Sequence, residues 1–432
     1  MNNILIYGAG VSAQGSFKLL DKKGVSYTLF CDDMGEYPAL ESFDTILKSP
    51  GIPNSKPLIL EAMQKGIEII DEIELAYRYM PEQIKVVAIT GTNGKTTTTM
   101  NMYNAFKALG YKVAYAGNIG FSYAELIATE EELDVIVLEL SSFQLEHLDT
   151  FRANAAVLIN LTPDHLDRYT SKEEYYGVKW NIFKNQQATD VAVVNIADQN
   201  ILSSSELKAL NVVTFAVSDE YKADLGYENH QLRIFDQKCS ANIIEQFGRH
   251  NIENFLAIAG VLNHFGHTIK DILLAQEAFK CAEHRLEKFF SRGDVDFYND
   301  SKATNVDSTI QAINSLNGLK DIYLVCGGKE KNLDCTDLIA TIIEKNVVSV
   351  YLIGETANRL EKQLIEMGYP QEKTFNLGRL EVVLDVLKER LDFGKKSIVL
   401  LSPASSSYDQ FKNFEDRGRV FKQLVQERFS GE

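Results

Sequence analysis

The chain has 432 residues, too many for one ordinary core, and 45% of them are hydrophobic, enough to fill two or three domains. A formal net charge of −16, with no basic run and no arginine-aromatic patch, argues against a nucleic-acid partner. No apolar stretch reaches bilayer-spanning length, the opening MNNILIYGAG has neither a basic region nor a cleavage site, and the five cysteines lack C-x-x-C spacing, so a cytoplasmic protein with reduced thiols is expected.

The first segment, NILIYGAGVSAQGSFKLLDKKGVSYTLFCDD, reads as a strand at 4–7, a glycine turn, a helix through Leu20 and a strand at 27–30. Gly8 and Gly10, with Ala13 at the third glycine position and Asp32 and Asp33 about 20 residues on, fit a dinucleotide-type βαβ unit. Taken alone it suits a nicotinamide dehydrogenase, yet the same backbone serves any pyrophosphate, including that of a UDP-sugar. The stretches RYMPEQIK (78–85) and CAEHRLEKFF (281–290) cue linkers, which divide the chain into 1–82, 83–282 and 283–432.

After the first linker, VVAITGTNGKTTTTMNMY predicts a buried strand at 86–89, a turn at 91–94 and a helix starting at Lys95. Backbone N–H groups at a helix N-terminus favour an anion, a lysine there reaches outer phosphates, and an adjacent hydroxyl can sit on Mg²⁺. Four residues conventionally separate the two glycines; here only Thr92 and Asn93 lie between Gly91 and Gly94. The threonine run 96–99 is a poor helix start by propensity, which suggests that hydroxyls are wanted there. Strands at 135–139, 156–160, 191–195 and 212–215 then alternate with helices, predicting a parallel, doubly wound sheet. Ligands of such sheets bind past the carboxyl ends of strands. Glu139 with Ser141, and Asn160 with Asp164 and His165, fall at two such ends.

Blander readings stand beside these: Glu139 as a capping carboxylate, His165 as a loop histidine, and Lys179 in KEEYYGVKWNIF as a solvated helix face. Spacing alone leaves Lys179 open. His264 and His267 fit a helix C-terminus, where the dipole accounts for them. The last segment repeats the α/β pattern with strands at 295–299, 322–326, 348–353 and 397–401.

These motifs resemble the Mur ligases, ATP-dependent amide-forming enzymes of peptidoglycan precursor synthesis: TGTNGKTTT is similar to their shortened phosphate loop, LELSSFQLE to their metal-binding strand and NLTPDHLDRY to their histidine loop. GRHNIENFLAI and EHRLE resemble their adenine-side segments, and NDSKATN with LLSPASSSYDQFKNFEDRG resembles the member that adds D-glutamate. The resemblance spans all three segments. It implies a Rossmann-like N-terminal domain, a central ATPase domain with a mostly parallel sheet and a Rossmann-like C-terminal domain.

For residues it implies ATP at Gly91, Thr92, Asn93, Gly94, Lys95, Thr96, Thr97, Asn251, Asn254, Arg285 and Asp300. UDP-N-acetylmuramoyl-L-alanine would take Gly8, Gly10, Val11, Ser12, Asp32, Asp33, Asn118 and Ser141. D-glutamate would take Lys302, Thr304, Lys331, Ser407 and Phe414. Two Mg²⁺ ions would use Thr96, Glu139, His165 and Lys179, the last as a carbamate made with CO₂, because an ammonium cannot ligate a cation. Lys95, Glu139, His165 and Lys179 are thus the expected catalytic group, in a monomer. One departure is Lys329 in CGGKEKN, where many relatives have an acidic residue. A folate-polyglutamating ligase would not be expected to carry SSSYDQFKNFEDRG; a dehydrogenase leaves the phosphate loop unexplained; a non-catalytic nucleotide-binding module leaves the metal-ligand candidates unexplained.

Overall fold

The structure is a computed structural model and describes residues 3–35, 37–130, 132–165, 168–218, 220–245, 249–280, 283–330 and 334–430; Lys331 lies outside them. The chain divides into two compact units, Met1–Lys280 and Cys281–Glu432.

The first unit holds two sheets. In the first, β1 (Ile4–Tyr7), β2 (Tyr27–Phe30), β3 (Thr45–Lys48) and β4 (Glu68–Ile70) run parallel in the order β2-β1-β3-β4. The second comprises β5 (Lys85–Thr90), β6 (Val113–Gly117), β7 (Val135–Glu139), β8 (Ala155–Leu158), β9 (Val191–Asn195), β10 (Val212–Ala216), β11 (Leu225–Glu228), β12 (Gln231–Ile234) and β13 (Gln237–Ser240). Its order is β13-β12-β11-β10-β9-β8-β5-β7-β6, so the chain winds to either side of β5 and makes a switch point between the neighbouring strands β5 and β8. From β6 to β11 the pairing is parallel, and β12 and β13 add an antiparallel margin that alternation of strands and helices did not predict. Strands such as β7 and β9 are buried along their whole length, as expected where helices cover both faces of a parallel sheet.

Three helices join the two sheets. Val11–Lys23 and Glu72–Tyr79 pack on Tyr123–Thr129, and one apolar cluster runs from Ile4 and Ile6 through Leu75 and Ala76 to Ala124 and Ile136. The Asp71 side chain starts the middle helix by accepting from the Ile73 and Glu74 amides. Within it, buried Glu72 accepts from the Ala124 amide. Glu74, fully buried, accepts from the amides of Asp149 (3.0 Å), Thr150 (3.0 Å) and Phe151 (3.0 Å), from the Thr150 hydroxyl (2.6 Å) and from Arg78 (2.7 Å).

Burial alone would raise the Glu74 carboxyl, but bonds from Thr150, Arg78 and the loop amides outweigh it and hold the group below its usual value. Its contribution to stability is therefore present above the unfolded carboxyl pKa and is lost as pH falls through the lower native one. Glu74→Ala strands several buried donors and is expected to cost about 3 kcal/mol. Denaturant titration followed by fluorescence of Trp180, the chain's one tryptophan and a residue of this unit, checks it; an unchanged midpoint at pH 7 would refute it.

The second unit is a six-stranded sheet: β14 (Glu287–Arg292), β15 (Val295–Asn299), β16 (Asp321–Gly327), β17 (Ser349–Ile353), β18 (Thr374–Gly378) and β19 (Ser397–Leu401), in the order β14-β15-β19-β16-β17-β18. Only β14 is antiparallel to its neighbour. Inserting β19 between β15 and β16 gathers the segments that follow these three strands at one edge. No helix among the described residues is long and apolar enough to cross a membrane.

Candidate functional site

The turn between β5 and the helix Lys95–Ala108 needs glycine twice. Gly91 has φ +155° and Gly94 φ +86°, and a Cβ on Gly94 would lie 2.7 Å from the Asn254 side-chain oxygen. The turn is held from the strand beside it: Asn160 Oδ1 accepts from the amides of Thr92 (3.1 Å) and Asn93 (2.8 Å), and its Nδ2 donates to the Asn93 carbonyl (3.1 Å). Thr92 Oγ1 donates to the Thr162 carbonyl at 3.0 Å and lies 3.3 Å from the Tyr175 hydroxyl. Asn160 was legible as a strand-end residue; its clamp on the turn was not.

Two lysines converge on one carbonyl. Lys95 Nζ donates to Gly91 O (2.9 Å) and Thr92 O (2.8 Å), and Lys179 Nζ donates to Gly91 O at 3.0 Å. Lys179 is 1% exposed and its Nζ lies 4.8 Å from the Tyr175 ring centroid, so the solvated-helix reading does not hold. Burial, reinforced by the charge of Lys95, drives its pKa well below the usual lysine value despite Asp164 and Glu139. A lowered pKa makes the nucleophilic, uncharged amine easier to reach.

Glu139 ends β7 beneath this turn, buried, with Oε1 accepting from Asn118 Nδ2 at 2.9 Å and Oε2 without a hydrogen-bond partner. A buried carboxylate oxygen left unpaired calls for a ligand. His165 follows β8 in the left-handed region (φ +53°), its ring centroid 4.9 Å from that of Phe143 and 6.0 Å from that of Tyr175. Carboxylate and hydroxyl oxygens at a phosphate turn suit Mg²⁺, which keeps few protein ligands and binds with substrate phosphates. Thr96 lies on the first turn of the helix, and Thr97 is buried behind it. Asn251 and Asn254, buried on Arg249–His264, bond to each other at 3.2 Å, with Asn254 against Gly94.

At the switch point of the first sheet, Gly8 has φ +106° and a Cβ there would meet Ser49 Oγ at 2.6 Å. Gly10 precedes the helix Val11–Lys23; Val11 and Asp33 are exposed and Ser12 half-buried. Exposed Asp32 accepts from the Tyr7 hydroxyl and from Lys56 (2.6 Å). Asn118 N donates to Glu139 O at 2.8 Å, and Ser141 Oγ donates to Gln144 Oε1 at 3.1 Å.

The second unit brings its own candidates together. Asp300, just past β15, accepts from the Leu286 amide (3.0 Å) and Ser402 Oγ (2.7 Å); burial pushes its carboxyl up to about 7 against these bonds and the charge of Arg285. Lys302 Nζ stands 5.7 Å from the Phe414 ring centroid, Thr304 N donates to Lys302 O, and Ser407 is buried past β19. Sequence reasoning missed Arg417, fully buried, which donates to Ser301 O (2.8 Å), Ser301 Oγ (2.9 Å) and Ser405 O (3.0 Å) and so braces both loops. Its lone signal was an arginine in FEDRG, which reads as a surface residue. Lys329 pairs with Glu355 at 2.8 Å.

Residues 89–262 match the family model described as Mur ligase middle domain. The chain is 41% identical to the UDP-N-acetylmuramoylalanine--D-glutamate ligase of Fusobacterium nucleatum, over 98% of this chain and 99% of that one. To the enzyme of the same name from Bacteroides fragilis it is 38% identical, over 99% and 100%. Among solved structures, MurF ligase from Thermotoga maritima in complex with ADP matches with TM-score 0.62 at 20% identity, covering 90% of this chain and 91% of that one. MurC from the same organism matches with TM-score 0.60 at 17% identity, over 99% and 100%. With full-length relatives at this identity and the phosphate turn, Glu139 and Lys179 in place, the chain belongs to the Mur ligase family.

Proposed function

We propose that this chain is an ATP-dependent ligase that joins D-glutamate to UDP-N-acetylmuramoyl-L-alanine in peptidoglycan precursor synthesis. The observation that carries the chemistry is the phosphate turn itself, where Lys95 and Lys179 converge on the Gly91 carbonyl, with the unpaired oxygen of buried Glu139 at the end of the neighbouring strand β7. The near-full-length likeness to D-glutamate ligases supports the choice of substrates.

In this reading the carboxylate of the UDP-linked substrate attacks the γ-phosphorus of ATP, ADP leaves, and an acyl phosphate results. The amine of D-glutamate adds to the acyl carbon, phosphate leaves, and an amide bond remains. Two anions must approach, so catalysis rests on positioned positive charge. Lys95 supplies it to the phosphates, with the 91–97 backbone and hydroxyls around them and Asn251, Asn254, Arg285 and Asp300 on the adenosine. Mg²⁺, when bound, neutralises phosphate and acyl oxygens; Thr96 and Glu139 would hold one ion, His165 and Lys179 a second. Lys179, once deprotonated, adds to CO₂: an N–C bond forms, a proton departs and the side chain becomes a carbamate of charge −1, an oxygen ligand in place of an ammonium.

Gly8, Gly10, Val11, Ser12, Asp32, Asp33, Asn118 and Ser141 would receive the UDP-substrate, and Lys302, Thr304, Lys331, Ser407 and Phe414 D-glutamate. The division is into domains 1–82, 83–282 and 283–432, contributing chiefly to the UDP-substrate, ATP and D-glutamate respectively, in a cytoplasmic monomer. Phosphate release with ATP and UDP-N-acetylmuramoyl-L-alanine, measured with D-Glu, L-Glu or L-Lys, tests the function: release with D-Glu alone supports it, and none with any of the three overturns it.

D-glutamate brings two carboxylates to a chain of net charge −16, so its pocket needs concentrated donors. Lys302→Ala and Ser407→Ala are expected to raise KM for D-Glu by ~30-fold or more while KM for ATP and the UDP-substrate stays within about twofold, since a site built on hydrogen bonds to a carboxylate discriminates strongly when a donor is lost. Equal losses for all three substrates would make these residues props of the fold.

A further inference from the structure

One buried ionic cluster lies in the first unit outside the residues assigned above. Glu146, its side chain 5% exposed, receives Arg168 through Nε (3.1 Å) and Nη2 (2.8 Å), the Tyr169 hydroxyl (2.9 Å) and Lys48 Nζ (3.4 Å). Arg168 also donates to the carbonyls of Gly51 (3.3 Å) and Ile52 (3.2 Å), and Lys48, fully buried, donates to Ile52 O at 2.8 Å. Two cations face one carboxylate, and the balance of their bonds goes to the backbone of the loop that follows β3. A second tie to that loop runs from His147 Nε2 to Asn54 Oδ1 at 2.8 Å.

The loop so held begins at Ser49, whose amide donates to Tyr7 O and whose buried hydroxyl, without a partner, sits under the Gly8 turn. The other end of the cluster reaches the histidine segment. The Arg168 guanidinium lies 4.3 Å from the Phe143 ring centroid, the ring that also meets His165, and the amides of Arg168 (3.0 Å) and Tyr169 (3.1 Å) donate to the His165 carbonyl. A non-glycine residue at φ +53° persists only where its surroundings over-determine it, and these contacts do so. Exposed ion pairs are interchangeable, but a forked arginine with carbonyl partners on its free edge fixes two segments at once.

We propose that Arg168, braced by Glu146, is a positioning residue for the ligase reaction: it sets the 49–54 loop beside the Gly8 turn and the backbone of His165 from a single guanidinium. Resting as it does on the function proposed above, the inference makes docking of the UDP-linked substrate and orientation of the histidine two readings of one cluster. Neither Arg168 nor Glu146 needs to touch substrate for this.

Steady-state kinetics on the full chain, varying each of the three substrates, test it with Arg168→Lys, Glu146→Gln and the double variant. Each single change is expected to raise KM for the UDP-substrate and lower kcat, both ~10-fold, with KM for ATP within about twofold, and the double variant to be no worse than the worse single one. If Arg168→Lys does not fold, Tyr169→Phe removes one bond to Glu146 and should show the same split at about threefold. All three KM values rising together, unchanged kinetics, or losses that multiply in the double variant would overturn the inference. A wild-type chain that releases no phosphate would instead refute the function; turnover in wild type without the split in the variants refutes the role of Arg168 alone.

Discussion

Lys179→Ala is expected to retain under ~1% of wild-type phosphate release, and to regain part of it in formate, a small carboxylate that can occupy the vacated position. The expectation follows from three observations together: the side chain is 1% exposed, burial and the charge of Lys95 push its pKa well below the usual lysine value, and it donates to the Gly91 carbonyl of the phosphate turn. A residue kept there only for the fold should tolerate a volume-conserving change. Lys179→Met therefore separates the explanations: it should be as inactive as Lys179→Ala and, with the site filled, gain nothing from formate. ¹³CO₂ labelling gives a readout independent of turnover, a carbamate carbon resonance present in wild type and lost in both variants. Full activity in either variant would leave Lys179 as packing.

Lys95→Ala should lower ATP turnover by at least ~100-fold, because a preorganised cation on developing phosphate charge contributes several kcal/mol in a site shielded from water. Lys95 folds back onto Gly91 O and Thr92 O, so its ammonium is held within the turn. Gly91 O keeps Lys179 as a donor when Lys95 is removed, so the melting temperature should alter little. ADP production close to wild type would remove the phosphate assignment for the turn; loss of turnover with an unchanged circular dichroism spectrum supports it.

How much of this was readable from residues depended on whether the signal was local. The strands of the two α/β repeats, the glycine turns at Gly8 and Gly91, and the strand-end position of Glu139 follow from short patterns: apolar runs, glycines at positive φ, a carboxylate after a buried strand. Lys179 could not be placed that way. A lysine on an amphipathic helix looks solvated until the neighbouring chain covers it, and here Gly91 and Tyr175 do so from 88 and 4 residues away. The same holds for Arg417 and Arg168, many of whose partners are carbonyls distant in sequence; a carbonyl has no residue identity and leaves no trace in a sequence. The hairpin β11–β12–β13 escaped for another reason, since its strands are four residues each and partly exposed, too short for periodicity to speak.

The shared core between the first two sheets bears on how the chain can be cut. Because Ile4, Leu75, Ala124 and Ile136 belong to one apolar cluster and Glu74 is satisfied by the 149–151 backbone, the Thr150 hydroxyl and Arg78, severing the chain at 82/83 would turn an interior into two sticky surfaces, each with stranded polar groups. Separate expression of 1–82 therefore invites aggregation, whereas a fragment ending at Lys280 carries both sheets whole and is the natural minimal piece for labelling, crystallisation or ligand screening.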